Sequence, residues 1–253
     1  MFHSFLGKII YDTKTDRGLC RNVNQDALWA SVAGSLGLFV LSDGMGGHSR
    51  GELASNAIVA ECSAYWQRLT SGQPLPDFVT LTQQVQQVIL QANQNIYLQY
   101  NQGQVCGATV VVLLVSGDCY AVFWAGDSRI YSLCGRKFEQ LTTDDIWDLQ
   151  PYVVRNFSKE EIAANESSGK LIQAVGTSPE LNVHVMSSRL TTGQTFLLCS
   201  DGLFKFCDEK WLKKGMKAIR TKEAAQASLD TYFQKVFEKG AGDNVSAILV
   251  RVS

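Results

Sequence analysis

The 253-residue chain has only three histidines, His3, His48 and His184, and its seven cysteines include no CxxC pair. Zinc centres draw on thiolates and imidazoles at short spacings, so zinc is disfavoured. The cysteines are odd in number, and Cys20, Cys62, Cys106, Cys119, Cys134, Cys199 and Cys207 mostly interrupt apolar runs. They read as small buried hydrophobes in a reducing compartment, not as a disulfide framework. No stretch concentrates Lys and Arg, and the net charge is −1, which argues against nucleic acid or an anionic membrane surface as partner. No apolar run reaches spanning length, and "MFHSFLGKII" lacks a basic region followed by a long apolar stretch and a small-residue cleavage site. A cytoplasmic location is the expectation. There is no internal repeat and no low-complexity tract.

What is present suits a folded core, with 45% hydrophobic and 19% charged residues. Two short apolar runs, about 28–32 and 36–42, read as strands separated by "AGS". From Gly51, Leu53, Ala57, Ala60 and Ala64 recur at helical steps to about Leu69. "TSGQPLPD" stops that helix, and Val85, Val88, Ile89, Ala92 and Ile96 mark a second. "ATVVVLLV", "CYAVFWAG" and "RIYSL", joined by short turns, form an antiparallel meander. Residues about 142–180 lose the strand pattern and read as an inserted flap with a short helix near "SKEEIAAN". Strands return at "NVHVMSS" and "TFLLCS", two helices follow, and "VSAILVRV" closes the chain as a strand. Paired helices between antiparallel strand groups predict an α+β layered sandwich, a single domain over 1–253 interrupted by the flap.

Four aspartates share a local grammar in which an apolar strand ends and an Asp follows beside a turn former: Asp43 in "LSDGMGG", Asp127 in "WAGDSR", Asp201 in "LLCSDGL" and Asp243 in "GAGDNVS". A fifth, Asp26, precedes a strand. Each alone is an ordinary turn residue. Together at one sandwich edge they would repel strongly unless cations neutralised them. All-oxygen ligation suits Mg²⁺ or Mn²⁺, and two such ions can activate a bridging water and clamp a phosphoryl group, which predicts phosphate ester hydrolysis. Arg21, just before "NVNQD", is a candidate grip for two phosphate oxygens.

The ordered set "RNVNQDALW", "LSDGMGGHSRGELAS", "GATVVVLLV", "WAGDSRIY", "LLCSDGLF" and "GDNVSAILV" resembles the metal-dependent Ser/Thr protein phosphatases of the phosphatase 2C (PPM) family in their compact bacterial form. The resemblance runs from near Arg21 to Val250. It implies a four-layer α-β-β-α sandwich with two central antiparallel sheets and the metal site at one edge. By position, Asp43 would bridge two metals, the Gly44 carbonyl would ligate one, and Asp201 with Asp243 would hold the other. Asp26 would order metal-bound water, Arg21 would bind the substrate phosphate, and Asn244 would support Asp243. A third metal, found in bacterial members, would fall to Asp127 with Asp201. The implied reaction is hydrolysis of phosphoserine and phosphothreonine on proteins by direct in-line attack of the bridging water, opposing a Ser/Thr kinase, with the chain a monomer.

The departures from the family pattern concern the metals, the proton donor and the flap. Gln25 stands where members often have Glu, which removes a charge near the second metal. Met45 stands where many eukaryotic members carry a histidine, so it cannot protonate the leaving alkoxide; water is the expected donor in preference to His48. In the flap, "LTTDDI" carries Asp145 in place of a common histidine. A haloacid-dehalogenase mechanism would need a second Asp two residues from the nucleophile, and Asp43 and Asp201 have none. A dinucleotide loop would need glycine at Ser49, and no GxxxxGK[ST] occurs. A catalytically dead, phosphoprotein-binding module would be expected to lose metal ligands, whereas all four core acids are present.

Overall fold

The computed structural model describes residues 8–45, 50–100 and 105–253. Strand β1 (Ile9–Asp16) is followed by β2 (Asp26–Ala33) and β3 (Leu36–Met45), then helices α1 (Arg50–Leu69) and α2 (Phe78–Tyr100). Next come β4 (Gly107–Ala108), β5 (Val110–Ser116), β6 (Cys119–Ala125), β7 (Arg129–Cys134) and β8 (Lys137–Gln140). Two short helices, α3 (Pro151–Asn156) and α4 (Lys159–Ala164), precede β9 (His184–Arg189) and β10 (Thr195–Cys199). The chain then forms α5 (Asp201–Phe204), α6 (Glu209–Ala218), α7 (Lys222–Glu238) and β11 (Val245–Val252).

The strands form two sheets, ordered β1-β11-β10-β7-β8 and β2-β3-β5-β6-β9, with β4 added beside the end of β3. All pairings are antiparallel. The central strands are apolar on both faces because both faces are covered. In β3, Leu36, Leu38 and Val40 pack under α1 and α2, while Phe39 and Leu41 face the other sheet. In β11, Val245, Ala247 and Leu249 lie toward α6 and α7, while Ile248, Val250 and Val252 face inward. Three apolar layers therefore separate four layers of secondary structure, the α-β-β-α sandwich the sequence predicts. Tyr11 on Phe39 (5.4 Å between ring centroids) and Tyr120 on Phe196 (4.9 Å) join the two sheets across the middle layer.

Helix positions follow from spacing and caps. In α2, Leu81, Val85, Ile89, Ala92 and Ile96 make one buried stripe, and Asp77 Oδ1 accepts from Thr80 N–H at 2.9 Å ahead of its first turn. Asp208 and Thr221 cap α6 and α7 in the same way.

The expected meander does not hold for its third run: β5 and β6 pair, but the turn at 126–128 carries the chain across to the other sheet, where β7 pairs with β10 and β8. The other differences from the sequence expectation fall at the edges. β1 and β8 are additional strands; "IIYDTKTD" and "KFEQ" are mostly polar because each has a sheet neighbour on one side only. β3 continues past Ser42 to Met45, so Asp43 lies inside a strand rather than after one. It can continue because its partner changes from β5 to β4, with Gly44 opposite Ala108. Between β8 and β9 the segment closes on itself at the bridge Ile146–Leu171 and meets the sandwich at the bridge Ala108–Val175.

Phe39 is fully buried in the middle layer. Phe39→Ala should cost about 3–5 kcal/mol, read as a lower urea midpoint at unchanged slope. A cost below about 1 kcal/mol would show that the two sheets do not depend on this contact.

Candidate active site

Antiparallel order brings distant parts of the chain to one edge. The start of β2, the end of β3, the β6–β7 turn, the end of β10 and the start of β11 all lie there, and each carries an aspartate. Asp26 and Asp43 are direct cross-strand partners. A cavity of about 520 Å³ at this edge is lined by Arg21, Asp43, Gly44, Asp127, Asp201 and Asp243, with Gln25, Met45, Thr109, Lys205 and Asn244. The segment between β8 and β9 contributes Gly169, Lys170 and Leu171 to its wall. His48 lies outside the described residues.

Main-chain contacts fix Asp43. Its N–H donates to Thr109 Oγ1 at 3.0 Å, and its carbonyl accepts from Thr109 N–H at 2.8 Å. Gly44 N–H donates to the Gln25 carbonyl at 3.1 Å. A side chain at Gly44 would come within 2.3 Å of the Gly51 carbonyl, and one at Gly51 within 2.6 Å of the Gly44 backbone. These two glycines let the first turn of α1 close on β3. Gly202 plays the same part beside Asp201, where a Cβ would meet the Asn244 carbonyl at 1.9 Å.

The carboxylates are mutually unfavourable. Burial, then the charges of Asp26, Asp201, Asp127 and Asp243, holds the Asp43 carboxyl well above the usual carboxylate range. Burial also raises Asp26 to about 6, against hydrogen bonds from Ser246 and Ser200, and raises Asp127 to about 6 with the Asp201 charge second. Asp26 Oδ2 accepts from Ser200 Oγ at 2.8 Å, while its buried Oδ1 has no hydrogen-bond partner. A buried carboxylate oxygen without a donor is costly and calls for a cation or an ordered water.

Two side-chain cations answer part of this charge. Arg21 forks onto Asp243, Nε to Oδ1 and Nη2 to Oδ2, both at 2.8 Å. Lys205 Nζ lies 2.5 Å from Asp201 Oδ2. Among the described residues, no three His, Cys, Asp or Glu side chains are drawn together as a ready ligand cage. The donor set is nonetheless hard oxygen throughout, and the partnerless Asp26 oxygen and mutually repelling acids fit hard divalent cations.

Asn244 holds the Arg21 loop. Its Oδ1 accepts from Gln25 N–H at 2.9 Å, and its Nδ2 donates to the carbonyls of Arg17 and Val23 at 2.8 and 3.0 Å.

The family model "Protein phosphatase 2C" matches residues 20–250. The chain belongs to the protein phosphatase 2C family. The serine/threonine phosphatase stp of Listeria monocytogenes is 28% identical over 242 residues, covering 94% of this chain and 93% of its own. Stp1 from Staphylococcus aureus superposes with TM-score 0.83 at 25% identity, over 99% of this chain and 98% of that one. The catalytic domain of the phosphatase PstP, solved with two manganese ions, gives TM-score 0.78 at 26% identity, over 96% and 98%. Family and fold are therefore those the sequence motifs indicate.

Within this phosphatase 2C chain, all seven site residues predicted from sequence gather at one edge, with Asp26 set behind the cavity. Lys205 and Thr109 were not among them. Lys205 is signalled by its i,i+4 spacing from Asp201, which puts both on one face of a turn. Thr109 has no comparable signal, because its part depends on strand pairing. Asp145, noted only as a departure, ties the segment between β8 and β9 to the turn bearing Asp127. Its Oδ2 accepts from Gly126 N–H at 2.9 Å and Gln173 Nε2 at 2.8 Å, and its Oδ1 lies 2.9 Å from His184 Nε2.

Because the folded protein holds Asp26 at about 6 instead of 3.8, stability it contributes at low pH is lost as pH rises through about 6. In chelator, Asp26→Asn should therefore melt above the wild type at pH 7.5, by about 1–3 kcal/mol, and match it near pH 3.5. A wild type that is the more stable at pH 7.5 would contradict this sign.

Proposed function

We propose that the chain hydrolyses phosphoserine and phosphothreonine on proteins, as a metal-dependent phosphatase. The observation that carries the reading is the convergence of five aspartates from separate strand ends beside a loop-borne arginine. Its relatives named serine/threonine phosphatases and the manganese-bound PstP structure support it.

Asp43 and the Gly44 carbonyl would hold one divalent ion, and Asp43, Asp201 and Asp243 would hold a second, Mn²⁺ or Mg²⁺ by donor type. When bound, these ions lower the pKa of water and draw charge from phosphoryl oxygens. The protein's own groups do the rest. Asp26 offers a partnerless oxygen to a water in the site and orients it. Arg21, half exposed on its loop, has the planar fork to exchange the Asp243 carboxylate for two phosphate oxygens. Asn244 keeps that loop in reach, so its work is positioning. Met45 lines the cavity without a transferable proton, which leaves protonation of the departing alkoxide to solvent.

A cytoplasmic protein of this kind opposes a Ser/Thr kinase and works as a monomer. No helix among the described residues is long and apolar enough to cross a membrane.

Hydrolysis of a phosphothreonine peptide with Mn²⁺ tests the reading. Asp43→Asn and Asp243→Asn should fold and be inactive; turnover retained by either would break the ligand assignment. Arg21→Ala should raise KM about tenfold to a hundredfold with a smaller change in kcat, the worth of a charged bidentate contact. An unchanged KM would remove Arg21 from phosphate binding.

A further inference from the structure

The third cation site implied by the family resemblance, Asp127 with Asp201, meets a competitor within this chain. Lys205 Nζ already lies 2.5 Å from Asp201 Oδ2. The same lysine lines one cavity with Asp127 and Asp201, so its ammonium faces both acids of the pair. Asp243 adds to the field that holds Lys205 charged.

The pairing is built into the backbone. Asp201 and Lys205 are four residues apart on one helical turn, and Lys205 N–H donates to the Asp201 carbonyl at 3.0 Å. Phe204, which precedes the lysine, is pinned by the Arg129 guanidinium 3.6 Å from its ring centroid. Arg129 is itself clamped to the buried Asp144, Nη2 to Oδ2 at 2.6 Å. Arg21 differs, since it comes from a loop and its fork suits a phosphate as well as a carboxylate.

Resting on the two-metal reading above, we propose that the Lys205 ammonium is the resident cation of the Asp127–Asp201 pair, so that this chain takes two divalent ions and not three. An ammonium supplies one compact charge and three donors with no coordination geometry. It offsets one of the two carboxylates, leaves Asp201 in place for the two-metal site, and does not polarise water as a divalent ion does. A further divalent ion between these acids has to expel Lys205 or sit against its charge at a few ångströms.

Electron paramagnetic resonance titration with Mn²⁺ counts bound ions without reference to turnover. The proteins compared are wild type, Lys205→Met, and Lys205→Met with Asp127→Asn. Methionine keeps the apolar stem and removes the charge at a side chain that is 59% exposed, and melting curves verify that all three fold. Wild type should saturate at two ions. Lys205→Met should gain one more, bound at least about tenfold tighter than any further ion on wild type, because a unit charge a few ångströms away is gone. The double variant should return to two. A third ion held by wild type as tightly as by Lys205→Met, or no gain in Lys205→Met, overturns the assignment. A wild-type count below two breaks the two-metal reading instead, and the difference made by Lys205→Met still decides the lysine's part.

Discussion

Repulsion between carboxylates at one sandwich edge sets the terms for the rest of the molecule. Like charges a few ångströms apart in a partly desolvated edge cost several kcal/mol, and such a cluster persists only where the scaffold over-determines it. Three stacked apolar layers provide that scaffold, and β3 shows how directly they do so. The same ten residues carry Leu36, Leu38 and Val40 into one layer, Phe39 and Leu41 into the next, and then Asp43 and Gly44 into the site. Relaxing the acids apart would mean breaking register along a strand buried on both sides.

Around that cluster the chain has arranged partial remedies of differing permanence. Lys205 answers Asp201 from the same helical turn, and Arg21 answers Asp243 from a loop. Asp26 has only hydroxyl partners and one oxygen with none. From backbone-fixed lysine to loop-borne arginine to a bare carboxylate oxygen, the charge of the acids is answered unevenly across the site. Asp145 extends the arrangement outward, since Gln173 from the segment between β8 and β9 and the turn carrying Asp127 share its one carboxylate.

The layered fold was legible in the sequence because strands covered on both faces are apolar throughout, and α1 and α2 show clean helical stripes. β1 and β8 were not legible, since an edge strand needs apolar residues on few positions. Asp43, Asp127, Asp201 and Asp243 were readable as a set from their repeated placement at strand ends, which antiparallel pairing turns into proximity. Thr109 could not be read that way. Its hydroxyl matters because β3 changes partner beside it, a fact of register that no local pattern records. Asp145 was visible as an oddity, and its meaning lies with Gly126, Gln173 and His184, which stand 19, 28 and 39 residues away in the chain.

Asn244 grips the 17–25 loop at three main-chain points and no side chain. The loop's path is thus written in a residue more than two hundred positions away, leaving the loop's own side chains free of any structural duty at those contacts. Val23 and Gln25 can change character, in size or in charge, while the backbone that carries Arg21 keeps its course. A neutral glutamine beside the acids is then a local adjustment of charge and not a remodelling of the pocket. Drift in the loop's sequence tunes chemistry, whereas a change at 244 would rewrite shape.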